Sequence, residues 1–287
     1  MKHMDEILAS IQEIPPFPQV VLKAMDIISD PEYSVENLTR VISLDQAITA
    51  NVLKICNSAY FGLSREVGSL KEAVVYLGAT QLRQLLLAGG AKKVYDQPHE
   101  GYTFFAGELW QHAVACAVMA QVVVGHFKKS SLDSQMVFTA ALLHDVGKVV
   151  LSTYVQQEFA HIEAMVAGNK CSFQEAEREI LGYDHAEIGG KLTEFWQFPE
   201  PIVAAIRHHH QPEQAPKTHR LLTELVSFAD SLVILVGYGT AADGLAYHMP
   251  HALADKASLQ TVDVEILLAE FQQEMVKTSG MIGVQEE

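Results

Sequence analysis

A histidine and an aspartate stand side by side at His144-Asp145, inside the apolar run Leu142-Leu143-His144-Asp145-Val146-Gly147-Lys148-Val149-Val150. Hydrophobic periodicity predicts that this run is a buried helix, where an uncompensated polar group costs roughly 2–7 kcal/mol. The pair therefore needs a partner: a metal ion, or a neighbouring side chain or backbone carbonyl. Other polar residues recur in similar settings. Glu108 and His112 lie four residues apart, on one face of an apolar helix. His185 follows the Gly182-Tyr183-Asp184 break and starts a helix, His208-His209-His210 ends one, and Asp230 is a lone carboxylate in the apolar LLTELVSFADSL. Imidazole and carboxylate donors suit a borderline metal such as iron, manganese, zinc or nickel, and a carboxylate shared between two ions is an arrangement of binuclear hydrolases.

The remaining candidates read more plainly. Cys116 lies one turn after His112, close enough for a thiolate ligand, but a buried small hydrophobe is the preferred reading. His126, His161 and His219 read as structural or solvated, and His248 and His251 as loop residues. Asn57-Ser58-Ala59-Tyr60-Phe61 reads as a structural turn or an interaction surface.

Helices must position these groups. Apolar residues recur at three- and four-residue steps, while alternating strand patterns and Asn-Gly turns are nearly absent, so the predicted fold is all-α. Five or six short helices are expected over residues 17–92, with start signals at Pro15-Pro16, Ser34 and Ser43-Leu44-Asp45. Further helices are expected over 108–125, 134–152, 185–197, 201–210, 219–237 and 262–277. The mixed stretch KKVYDQPHEGYT (92–103) is the best internal boundary. The expected organisation is an N-terminal helical lobe (1–103), a metal-binding helical lobe (104–255) and a C-terminal helix with its tail (256–287).

Composition narrows the function. Of 287 residues, 49% are hydrophobic, enough for a sizeable core. Lys and Arg number 20 against 35 Asp and Glu, a net charge of −15 that opposes phosphate neutralisation on nucleic acid and docking on anionic membranes. Residues 109–127 carry no formal charge but are interrupted by Gln111, His112, Gln121 and His126, which predicts a buried helix instead of a membrane span. Three scattered cysteines, Cys56, Cys116 and Cys171, and acidic residues in MKHMDEILAS where a signal peptide would be apolar, point to the cytoplasm.

The order of the polar groups, a His, then His-Asp, a His, His-His and an Asp on separate helices, resembles the HD superfamily of metal-dependent phosphohydrolases, and more specifically its HDOD branch. The branch resemblance runs through IPPFPQVVLKAMDIISDP, DQAITANVLKICNSAYFG, SLKEAVVYLGATQLRQLLL, LLHDVGKVVL and YDHAEIGGKLTEFWQFPEPIVAAIRHHHQPE. The ligand series itself is similar to that of HD-GYP cyclic-dinucleotide phosphodiesterases. That resemblance implies two divalent transition-metal ions, iron or manganese first and zinc or nickel next. His112, His144, Asp145 and Asp230 would hold one, and Asp145 as a bridge with His185, His209 and His210 the other. Glu108 matches the position of an extra carboxylate ligand. Lys148 matches the lysine that faces the scissile phosphate, so Lys148 and Asp145 are the implied catalytic residues. The chain departs from the HD-GYP pattern after His209-His210, where it reads Gln211-Pro212-Glu213, and no Arg-Pro-Tyr segment follows Asp230. Two functions remain in view: a phosphohydrolase acting on a nucleotide or cyclic dinucleotide, and a signalling adaptor whose metal site is structural or ligand-sensing and whose N-terminal lobe meets protein partners.

Overall fold

Local capping sets the helix boundaries. The Ser34 hydroxyl accepts the Asn37 N–H and the Asp45 carboxylate that of Ile48, each satisfying a donor that a first helical turn leaves open. The computed structural model describes residues 4–12, 14–63, 65–95, 100–102, 107–126, 132–169, 171–238 and 261–282. Its helices are α1 (Met4–Ile11), α2 (Gln19–Ser29), α3 (Val35–Ile42), α4 (Gln46–Cys56), α5 (Leu70–Tyr95), α6 (Glu108–His126), α7 (Ser134–Leu143), α8 (Gly147–Asn169), α9 (Phe173–Leu181), α10 (His185–Phe195), α11 (Glu200–His208), α12 (Arg220–Leu235) and α13 (Thr261–Ile282). No strand occurs among the described residues, and the fold is all-α.

The chain divides into two compact units, residues 1–15 with 94–272 and residues 16–93 with 273–287. The N-terminal segment 1–15 thus falls in the larger unit and the C-terminal segment 273–287 in the smaller one, so neither unit is contiguous, whereas the sequence suggests lobes that are. The expected boundary at 255/256, the loop over 243–255 and its His248 and His251 lie outside the described residues.

Within the larger unit, α6 packs against α7 and α12, α10 against α8 and α11, and α8 against α9 and the short 3-10 turn Glu100–Tyr102. Helix α6 is apolar enough to cross a membrane by length and composition, but 78% of its most apolar window is buried inside the protein. This is the interior helix that its Gln and His interruptions predict.

Two expected helix boundaries move. Helix α7 stops at Leu143 and α8 starts at Gly147, in place of one helix over 134–152. Residues 144–146 form a tight turn in which Val146 N–H donates to Leu143 O (3.0 Å) and Lys148 N–H to Asp145 O (3.0 Å). The apolar flanks of His144-Asp145 conceal this turn. Between Ser152 and Leu181, α8 continues to Asn169 and α9 follows, opened by a reciprocal capping box between Ser172 and Glu175. Over residues 17–92 the expected count of five is met by α2, α3, α4 and the two helical segments of α5, which break at Gly78, where φ is 69° and the backbone is not helical.

A candidate binuclear metal centre

The turn at 144–146 and the N-terminus of α10 meet at two glycines. An added Cβ on Gly147 would lie 1.9 Å from the carbonyl oxygen of His185 and 2.6 Å from Gly189 N. This backbone-to-backbone contact brings His144-Asp145 against His185. His185 is further fixed because Asp184, fully buried, caps α10 by accepting the Glu187 N–H at 2.7 Å and is itself held by Gln174 (2.6 Å) and Arg178 (3.0 Å). The end of α11 supplies His209 and His210, α6 supplies His112, and α12 supplies Asp230.

Asp145 lies between two donor sets. Its Oδ2 is 3.5 Å from His112 Nε2 and 3.4 Å from His144 Nε2, and Asp230 Oδ1 lies 3.1 Å and 3.5 Å from the same two nitrogens. Its other oxygen, Oδ1, is 3.5 Å from His185 Nε2 and 3.8 Å from His209 Nε2. His210 Nε2, on a half-buried ring, meets His185 Nε2 at 2.7 Å. Lys148 Nζ is buried, donates to Asp145 Oδ2 at 2.5 Å and sits 5.7 Å from the centre of the Tyr102 ring.

Four of the rings are oriented through the far nitrogen. Nδ1 of His144 is 2.8 Å from Ala141 O, that of His209 is 2.7 Å from Ile206 O, and that of His112 is 3.0 Å from Tyr238 O. An Nδ1–H donated to a carbonyl leaves the Nε2 lone pair directed into the cluster, the orientation that metal-binding imidazoles require. For His185 the orienting acceptor is the buried carboxylate of Glu177, at 2.7 Å from Nδ1 and 3.0 Å from the backbone N–H. Glu177 in turn accepts the Tyr102 hydroxyl at 2.5 Å.

The electrostatics follow from burying these groups beside one another. Burial opposes charge on His144, but Asp145 and Asp230 lift its imidazolium to about 10. His112 is also raised well above its ordinary value, against burial, by Cys116 and Asp230. Asp145 and Asp230, which burial alone would push up, are held well below the carboxylate range, Asp145 by His144 and Lys148 and Asp230 by His112 and His144. Burial and the charge of His144 push His209 down to about 3.

Two observations show that these residues fit metal ions. The Nε2 atoms of His144 and His209 are buried and make no hydrogen bond, an uncommon state for an interior polar atom. Ligand atoms about 2.1 Å from one ion stand roughly 3.0–3.4 Å apart at octahedral to tetrahedral angles, close to the 3.1–3.5 Å separations around His112, His144, Asp145 and Asp230.

Seven of the predicted ligands, His112, His144, Asp145, His185, His209, His210 and Asp230, fall within groups of donor atoms no more than 4.8 Å apart. Glu108 does not; it is half-buried in the first turn of α6 and belongs to none of these groups. His126 pairs with Glu270 and His161 with Glu158 on the surface. Two residues are added. Cys116 Sγ lies 3.5 Å from His112 Nε2, and Glu177 orients His185. Each has a spacing signal: Cys116 follows His112 by four residues, and Glu177 falls midway between Phe173 and Leu181 on the buried stripe of α9.

Fold and site together define an all-α protein with a buried His/Asp/Cys cluster compatible with metal binding. The HDOD domain family matches residues 14–212, and the chain belongs to it. An HDOD domain protein of unknown function from Geobacter sulfurreducens superposes with a TM-score of 0.73 at 26% identity, covering 96% of this chain and 95% of that one. A Shewanella amazonensis protein provisionally named a phosphohydrolase shares the fold, with a TM-score of 0.70 at 23% identity and 96% coverage of each chain. An uncharacterized protein of Treponema pallidum is 27% identical over 226 residues, 78% of this chain and 42% of its own length. Ribonuclease Y of Thermus thermophilus is 30% identical over 128 residues, 45% of this chain and 17% of its own. The chain thus spans less than half the length of these curated relatives.

Proposed function

We propose that the protein is a metal-dependent phosphohydrolase of the HDOD family acting in the reducing cytoplasm, with a nucleotide or cyclic dinucleotide as substrate. The observation that carries this reading is Asp145, whose two oxygens face separate donor sets. His112, His144, Asp145 and Asp230 would hold one divalent ion, and Asp145, His185, His209 and His210 a second. Such a pair supplies Lewis acidity and an activated water for phosphoester hydrolysis.

The chain's own residues do the rest. Buried Lys148 sits beside the shared carboxylate, where its ammonium can neutralise charge growing on phosphoryl oxygens. Glu177 and the backbone carbonyls fix the imidazole tautomers, so that the donor set is ordered before substrate arrives. The protein's net charge of −15 is no obstacle to an anionic substrate, because bound ions dominate the local potential.

A second reading, a signalling adaptor with a structural or ligand-sensing metal site, is favoured by the smaller unit. There Tyr60 (41% exposed), Val75 (64%) and Tyr76 (48%) are exposed, and Phe61 makes edge contacts with both tyrosine rings. One experiment separates the readings. Protein loaded with Mn2+ or Fe2+ is incubated with nucleotides and cyclic dinucleotides, and phosphate release and ring opening are followed. The hydrolase reading expects turnover that His144→Ala abolishes, and that Lys148→Gln lowers on the order of 100-fold while metal content is kept. A metal-loaded wild type no more active than His144→Ala would overturn it and leave the adaptor.

A further inference from the structure

Cys116 is buried at 0% exposure among polar groups that the apolar reading of a cysteine does not explain. Its Sγ is 3.5 Å from His112 Nε2 and 3.7 Å from Asp230 Oδ1, and with His144 Nε2 these four donor atoms all lie within 4.8 Å of one another. A thiol that only donated to Asp230 would leave His144 Nε2, itself fully buried and aimed into the same group, without a hydrogen bond. The distances fit one shared ion. With metal–sulfur bonds of about 2.3 Å and metal–nitrogen bonds of about 2.1 Å, sulfur and nitrogen ligands stand roughly 3.1–3.6 Å apart between octahedral and tetrahedral angles. The nitrogen-to-oxygen separations in this group, 3.1 and 3.5 Å, fit the same centre.

We propose that Cys116 is a thiolate ligand of the ion held by His112, His144 and Asp230, making that position selective for a borderline divalent ion such as Fe2+, Co2+ or Zn2+ over Mn2+ or Mg2+. The proposal rests on the binuclear reading above and adds a sulfur donor to one of its two positions. Ligation replaces the S–H bond by a sulfur–metal bond and releases the proton to solvent. Because a soft donor faces one position only, the two positions differ in metal preference. The His185, His209 and His210 set has nitrogen and carboxylate donors alone.

Cobalt(II) tests this with a readout independent of turnover, because thiolate ligation gives a near-ultraviolet sulfur-to-cobalt charge-transfer band that nitrogen and oxygen ligands do not. The full chain is loaded with Co2+ and bound cobalt is measured by elemental analysis beside the absorption spectrum, for wild type, Cys116→Ser and Cys116→Ala. The expected result is a band in wild type that disappears in both variants while cobalt remains bound. Bound cobalt without the band in wild type, or a band that survives in Cys116→Ser, overturns the thiolate assignment and leaves the binuclear reading standing. Wild type that takes up no cobalt overturns both. The alanine variant supplies the answer if the serine variant does not fold.

Discussion

Gly147→Ala is expected to destabilise the protein by about 3 kcal/mol or more, because the new methyl group meets only backbone. Its Cβ would fall 1.9 Å from His185 O and 2.6 Å from Gly189 N, atoms that no rotamer change can move aside. Either α8 or α10 must shift, and with it the separation of Asp145 from His185, now 3.5 Å between Oδ1 and Nε2. The melting temperature should fall on the order of 10 °C, and metal content should fall with it even at temperatures where the variant is folded. Gly125→Ala provides the control, since its Cβ meets nothing within 4 Å and α6 is helical there. Thermal unfolding followed by circular dichroism, with metal analysis on the same samples, checks both. A Gly147→Ala protein as stable as Gly125→Ala would show that α8 and α10 do not approach as described.

The second large effect concerns Glu177, which touches no donor atom facing the shared carboxylate yet orients one ring that does. It accepts the Tyr102 hydroxyl, the His185 backbone N–H and His185 Nδ1–H, all in the interior. Its charge also lifts the His185 imidazolium against the opposing effect of burial. In Glu177→Gln the amide offers one oxygen acceptor in place of two, and its NH2 group competes with the N–H donors it must face. Metal affinity should weaken about 10–100-fold, as expected when the acceptor behind a ligating histidine is altered. The exposed neighbour Glu179→Gln should leave affinity unchanged. Competition titration with a coloured chelator reads the difference directly, and equal affinities for the two variants would remove Glu177 from the site.

How much of this could be read from the sequence depends on contrast. His112, His144 and Asp230 stand out because each interrupts an apolar pattern, and His185 and His209 because they stand at helix ends in the same ordered series; the structure gathers all of them with Asp145 and His210. Glu177 has no such contrast, since it shares the charged segment FQEAEREIL with Glu175 and Glu179, and only its place between Phe173 and Leu181 separates it from them. Cys116 is concealed in the opposite way. A thiol in an apolar helix matches its surroundings, so its four-residue spacing from His112 admits a ligand without favouring one, and the distances to His112 and Asp230 reveal its setting.

The fold shows the same division. All-α periodicity is a long-range pattern and survives, as do the helix starts at Ser34 and Asp45, which depend on the side chain of a single residue. The turn at 144–146 fails to register because apolar residues on both sides continue the helical period while the backbone tightens to three-residue hydrogen bonds. The division of the chain into two units, each made of two separate segments, depends on contacts between residues far apart in sequence, which local patterns do not encode.

The central claim is that Asp145 bridges two metal positions, and elemental analysis of the purified protein beside Asp145→Ala tests it most directly. Wild type should carry about two transition-metal ions per chain after loading, and the variant should lose most of both, because each donor set loses its oxygen of the shared carboxylate. A folded wild type that binds no transition metal, or an Asp145→Ala protein that binds as much as wild type, would contradict the account.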